Sequence, residues 1–167
     1  MKIIAQLIGF LGIAISFIIY QQKKRKKLLI WKLVSDCVWM LHYALLGAYS
    51  AVAVTIIGAM RETVYLNEGK KWANKKFWIV VFCLINVIFA FFTWKGPYSL
   101  LPTIASLIAV VSFAMQKPKI TRFFSFPVSA CMITYDFFTG SIAGIANETF
   151  TITSSIIGVI RHDIKRK

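Results

Sequence analysis

Ile56-Ile57-Gly58-Ala59-Met60-Arg61 returns one hundred residues later as Ile156-Ile157-Gly158-Val159-Ile160-Arg161. Self-similarity at a long interval is the mark of a duplicated architecture, so the search moves outward from these two hexapeptides. Upstream, Ser16-Phe17 followed by Gln21-Gln22-Lys23 is matched by Ser112-Phe113 followed by Gln116-Lys117. Between these markers, Gly47-Ala48-Tyr49-Ser50-Ala51 stands where Gly140-Ser141-Ile142-Ala143-Gly144 stands in the second copy. The path from that turn to the IIGxxR motif is seven residues longer in the second copy. This predicts a third helix that starts later there, or a larger loop before it, with both motifs closing a helix.

The material between the markers is apolar. Of 167 residues 58% are hydrophobic and 16% charged, with a mean hydropathy of +0.70, far from the balance of a soluble enzyme. A hydrocarbon core of ~30 Å needs about 17–20 apolar helical residues. Seven candidate spans meet or approach that need: 3–20, 28–46, 48–66, 77–94, 100–116, 123–139 and 142–161. They lack the period-two alternation of a barrel strand, and hydrocarbon admits only helices or closed barrels. The expected fold is an all-α membrane protein of seven transmembrane helices. Two parallel three-helix repeats, 1–66 and 100–167, are joined by a loop and linker helix in 67–99. Three spans invert a repeat and the fourth restores its direction.

Lys and Arg number 20 against 6 Asp and Glu, a formal charge of +14. Such an excess raises nucleic acid for a soluble protein, but here the cations fall at alternate joints. Eighteen belong to one side, in runs such as Lys23–Lys27, Lys70–Lys76 and Lys165–Lys167, and only Lys2 and Lys95 to the other. Cytoplasmic joints retain Lys and Arg. The N-terminus is therefore expected outside, the C-terminus in the cytoplasm, and the cations against anionic lipid rather than nucleic acid. The 3–20 stretch follows Lys2 as a signal peptide would but ends in a basic run without a small-residue cleavage site, and reads as a retained helix. Trp31, Trp72, Trp78 and Trp94 stand near span ends as interfacial anchors. Cys37, Cys83 and Cys131 have no metal-ligand spacing and read as reduced packing residues.

The 3+1+3 layout resembles that of the SWEET, SemiSWEET and PQ-loop membrane proteins. Within that group the IIGxxR endings, the Gly9/Gly12 first helix and the whole-chain length resemble the bacterial inner-membrane family YgjV. The broader resemblance implies alternating access around a site between the repeats and a sugar-like or other small polar solute on the third and seventh helices. Its hinge prolines are matched here only by Pro102 and Pro127, both in the second half.

Ionisable groups within spans are costly and mark function when they face a bundle interior. Lys32, Ser35, Asp36, Trp39, His42 and Tyr43 share one helical face. Lys32 and Asp36 form either a local pair with a snorkelling lysine or the edge of a central cavity, with Asp36 a candidate for ion coupling. His42 is either a hydrogen-bonded core residue or a proton-coupling group. In the repeat alignment His42-Tyr43 stands opposite Tyr135-Asp136. Asn147, Thr151, Ser155 and Gly158 share a face of the seventh helix, and Ala51, Thr55, Gly58 and Glu62 a face of the third. These small and hydroxylated residues serve helix packing or a solute pocket. Glu148 is a wetted surface residue, or a partner of Asp136 in an acidic vestibule for a cation. Arg61 and Arg161 read as caps at equivalent helix ends, where a cation suits the dipole. Asn86 has no partner in the repeat.

No nucleophile with its base, P-loop, dinucleotide fingerprint or metal set is present, so neither catalysis nor a cofactor is expected. The leading expectation is a transporter of a small polar solute, with Trp39, His42, Thr55, Asp136, Asn147 and Ser155 around the solute and Asp36 and Glu148 available for ion coupling. The alternative is a receptor or assembly protein that recruits a partner or anionic lipid through its basic face. Beyond the bilayer and the solute, a second copy of the chain is a possible partner.

Overall fold

The computed structural model describes residues 2–20, 25–67, 69–73, 75–115 and 118–160. Within them the chain forms α1 (Lys2–Tyr20), α2 (Arg25–Leu45), α3 (Tyr49–Leu66), α4 (Lys75–Phe92), α5 (Leu100–Ala114), α6 (Pro118–Thr139) and α7 (Ile142–Val159). Short 3-10 turns at Lys71–Ala73 and Pro97–Ser99 precede α4 and α5. The described residues contain no strand. Each helix occupies one span expected from the sequence, with the largest displacements at the starts of α2 and α6, where basic residues extend the helix. Pro118 opens α6, a position where its missing N–H costs nothing.

Helices α1, α2 and α3 pack in that order, and so do α5, α6 and α7. The two groups meet where α3 touches α5 and where α1 touches α7, which closes a circuit of six helices. Helix α4 lies outside the circuit against α3 and α5. The long Lys71–Ser99 excursion thus carries the chain from one group to the other without entering the centre.

The distribution of side chains is inverted relative to a soluble domain. Phe91, Phe92 and Phe137 are 84%, 80% and 73% exposed, whereas His42, Glu62, Asn86, Ser129 and Asp136 are fully buried. Among the described residues, only Pro97–Ala114 is long and apolar enough by itself to cross a bilayer; Lys2–Ser16 and Lys76–Phe92 are apolar but shorter. The physical reason is visible in α2, α3, α6 and α7. Their polar residues point inward and lower the mean hydropathy of helices whose outer faces are apolar.

The turns after α2 and α6 are the same structure. Gly47 and Gly140 adopt φ of +68° and +70°, a conformation glycine enters without the Cβ penalty of other residues. In each turn the next residue closes back five positions, Ala48 N–H to Tyr43 O at 2.9 Å and Ser141 N–H to Asp136 O at 2.9 Å. Paired with Gly47 N–H to Ala44 O and Gly140 N–H to Phe137 O, these are two Schellman terminations. Helices α3 and α7 then begin two residues after their glycines.

This overturns one expectation. Neither a later helix nor a larger loop absorbs the extra seven residues of the second copy. Instead Ile56–Arg61 lies inside α3, which continues to Leu66, while the described helical part of the second motif, residues 156–159, closes α7. Seven residues are nearly two helical turns, so the motifs share a helical face but not a depth. Register set by the glycine turns places Thr55 opposite Glu148, Asp36 opposite Ser129 and Glu62 opposite Ser155.

Candidate functional site

Inside the circuit is a cavity of about 330 Å³, walled by side chains from all six of its helices and none from α4. Helix α2 supplies Lys32, Ser35, Asp36, Trp39 and Tyr43, whose three- and four-residue spacing keeps them on one face. Helix α7 supplies Asn147, Glu148, Thr151 and Ser155 opposite them. Ser16 of α1 and Ser112 of α5, the serines matched in the sequence, face it as well.

Four charges cluster on the α2/α3 wall. Lys32 Nζ donates to Asp36 Oδ1, and Arg61 Nη2 donates to Glu62 Oε1 at 3.0 Å. The two pairs lie within electrostatic reach of each other. Gly58 permits this assembly, since a Cβ there would stand 3.0 Å from Asp36 Oδ2. Arg61 is not the helix-end cap that the sequence suggested. It is 4% exposed, one turn before the end of α3, and its guanidinium sits 4.6 Å from the centre of the Phe113 ring of α5. This cation–π contact joins the two helix groups. The two cations and two anions cancel, which is the condition for retaining charges away from water.

The opposite wall is chemically different. Ser129 Oγ donates to Glu148 Oε2 at 2.6 Å and Asn147 Nδ2 to Glu148 Oε1 at 3.2 Å. Ser125 Oγ donates to Ser155 Oγ at 2.8 Å. Glu148 therefore belongs to the cavity and not to the outer surface, and neutral groups supply its hydrogen bonds. Thr55 lines the cavity, yet its hydroxyl bonds to Ala51 O and Val52 O of its own helix, both at 2.8 Å.

Of the eight residues singled out from the sequence, Asp36, Trp39, Thr55, Asn147, Glu148 and Ser155 line this cavity, and His42 and Asp136 do not. His42 is fully buried between helices, with Nδ1 2.7 Å from Ala5 O and Nε2 2.7 Å from Ser141 Oγ. A carbonyl only accepts, so Nδ1 donates to Ala5 O, and Nε2 meets the Ser141 hydroxyl. Ser141 Oγ in turn accepts Gly144 N–H at 3.0 Å. The ring is thus a strut between α1, α2 and the α6–α7 turn. Gln6 reinforces the same joint, giving Nε2 to Gly140 O and accepting Ala143 N–H on Oε1, both at 3.0 Å. Asp136 is fully buried behind Tyr43, beside the Tyr43 and Ser141 hydroxyls and within electrostatic reach of Glu148.

Lys32 and Arg61 are cavity residues: the sequence left Lys32 open between a local ion pair and the cavity edge and suggested a helix-end cap for Arg61. The signal for Lys32 was its place on the Asp36/Trp39 face. For Arg61 it was the unbroken helical pattern through Leu66, which leaves the arginine short of the helix end. Asn86 bonds back to Phe82 O at 2.8 Å within α4, outside the circuit. Among the described residues, no three His, Cys, Asp or Glu side chains gather as a metal site requires. Residues 21–24, 116–117 and 161–167, which hold much of the basic charge together with Arg161 and His162, lie outside the described residues.

The chain is an all-helical protein with apolar side chains on its outer surface and charged and hydroxyl side chains around an internal cavity. The family model for the bacterial inner membrane protein Imp-YgjV matches residues 3–166, and the chain belongs to that family. Inner membrane protein YgjV of Escherichia coli (strain K12) is 22% identical over 158 residues, covering 95% of this chain and 84% of its own. The bacterial inner membrane is accordingly the location of the chain. No solved structure matches it.

Proposed function

We propose that the protein transports a small polar solute across the inner membrane by alternating access between the α1–α3 and α5–α7 groups. In this reading all seven helices span the bilayer as a parallel 3+1+3 duplication, with the N-terminus outside and the C-terminus in the cytoplasm. The observation that carries it is the cavity: both groups wall it, and the connecting helix α4 stays outside. Its volume falls at the lower end of the ~300–1,000 Å³ of small-molecule sites. The alternation of eighteen cationic side chains against two supports the orientation. Trp39 supplies a flat apolar wall, Asn147 and Ser155 supply polar contacts, and Asp36 is the coupling acid of this reading. The solute passes chemically unchanged.

The joints between the groups suit rocking. One is the Arg61–Phe113 contact and the other the Gln6/His42 attachment to the α6–α7 turn. Breaking either one opens a different end of the cavity while the circuit stays closed at the other.

Reconstituted vesicles test this reading. Osmotic swelling in sugars, polyols and small amino compounds is expected to exceed that of protein-free vesicles for at least one solute, and Asn147→Ala is expected to reduce it. Swelling indistinguishable from empty vesicles across all three classes overturns transport.

A further inference from the structure

Ion pairing differs across the cavity. Lys32 is paired with Asp36 and Arg61 with Glu62. Glu148 faces the same space with no salt-bridge partner among the described residues, its oxygens held only by Ser129 and Asn147. Two further acceptors on that space are unfilled. Asn147 Oδ1 is buried without a hydrogen-bond partner, because the amide has turned its nitrogen toward Glu148. Asp36, 4% exposed, has Oδ2 without a partner while Oδ1 holds Lys32. A buried acceptor with nothing to accept costs about 1–3 kcal/mol, and an unpaired buried carboxylate costs more. These acceptors therefore lack donors of their own, although Lys32, Arg61 and Arg122 also line the cavity and Lys32 lies within electrostatic reach of Glu148. A neutral polyol brings acceptors along with its donors, and an anion would meet Glu148 unfavourably. A primary ammonium brings three donors, no acceptor and a charge opposite to that of the unpaired Glu148. Trp39 on the adjacent wall offers an aromatic surface to the same kind of cation.

We infer that the cavity binds a small solute bearing a primary ammonium group, with Glu148 as its counter-ion and Asn147 Oδ1 as a second acceptor. The inference rests on the solute-cavity reading above and names the class of solute. The rest of the cavity fits a short polar body, with the Ser125–Ser155 hydroxyl pair and Ser35 available to it.

The test is thermal unfolding of the detergent-purified full chain with four probes: ethanolamine, its neutral counterpart ethylene glycol, alanine and xylitol. A ligand that binds only the folded state raises its melting temperature with concentration. Ethanolamine or alanine is expected to do so and ethylene glycol is not. Glu148→Gln keeps a carbonyl for Ser129 and removes the charge, so it is expected to weaken the ammonium effect about tenfold or more. The unliganded melting temperature and the gel-filtration profile of this variant establish that it folds. Should it not fold, Asn147→Ala serves as the second variant, with a smaller expected loss.

Stabilisation by xylitol alone, or an ammonium effect equal in wild type and Glu148→Gln, overturns this inference and leaves the transporter reading in place. Glu148-dependent ethanolamine binding with no solute flux in vesicles sustains the inference and overturns transport. No stabilisation by any probe overturns the inference.

Discussion

The two walls of the cavity occupy the same places in two similar helix groups, yet one is closed into ion pairs and the other is not. Register set by Gly47 and Gly140 places Lys32 opposite Ser125, Asp36 opposite Ser129, and Glu62 opposite Ser155. Thr55 stands opposite Glu148. Where the first group has two ion pairs, the second has hydroxyls and Glu148, whose hydrogen bonds come from neutral groups, with Arg122 also on the lining. A repeated fold needs a group of suitable size at each of these positions, but it does not need the same charge. The four charges of the first wall pair among themselves, while Glu148 has no salt-bridge partner among the described residues.

If that contrast is correct, the largest mutational effect lies on the first wall. Glu62→Ala leaves Arg61 buried with no carboxylate beside it and is expected to destabilise by about 3–5 kcal/mol. The double change Arg61→Met with Glu62→Leu removes both charges and is expected to recover most of that loss. Equilibrium unfolding in mixed micelles measures both, and a single variant within 1 kcal/mol of wild type, on the order of one ordinary hydrogen bond, would break the comparison.

The joint between the groups comes next. A Cβ at Gly9 would collide with Ala143 Cβ of α7 and stand 2.8 Å from His42 Nδ1, so Gly9→Ala forces α1 away from both α7 and α2 at the strut. Overpacking of this kind costs about 1–3 kcal/mol, read in the same unfolding experiment. A cost near zero would show that His42 does not tie α1 to the α6–α7 turn.

The turns sharpen the equivalence of the two groups. Gly47→Ala and Gly140→Ala each place a Cβ in the left-handed region with nothing else within 4 Å, so backbone strain alone acts, at about 1–2 kcal/mol. Similar costs are expected for the two, and a large inequality would separate turns that look alike.

The smallest effects lie among the hydroxyls. Ser155→Ala loses the Ser125 hydrogen bond and Thr55→Val loses bonds to its own helix. Each is expected to cost less than about 1.5 kcal/mol. Measured beside Glu62→Ala, the Ser155 value compares equivalent positions directly: one removes a carboxylate from an ion pair, the other a neutral hydroxyl.

Much of this site was readable in advance because helical periodicity is local. The face Lys32, Asp36, Trp39 and the face Asn147, Thr151, Ser155 follow from 3.6 residues per turn whatever the surroundings. His42 belongs to the same face of α2 and was grouped with the cavity for that reason. Its position toward the turn end of α2 instead brings it against Ala5 and Ser141, partners remote in sequence. Periodicity assigns a direction around the helix axis and says nothing of what stands there at a given height. Arg61 was misread for a related reason, since the IIGxxR match suggested an equivalent depth in both groups and a seven-residue slip preserves the face while changing the depth.

The sequence by itself determined the seven helices, the glycine turns that pair them, and which residues share each inward face. These depend on backbone geometry and on spacing along one chain. Only the tertiary structure decided which charges meet, because Arg61 reaching Phe113, His42 reaching Ser141, and Glu148 bonding to Ser129 rather than to a cation all depend on how separate helices are set against one another. Lateral packing and relative height are properties of pairs of helices, and a single helix's pattern does not contain them.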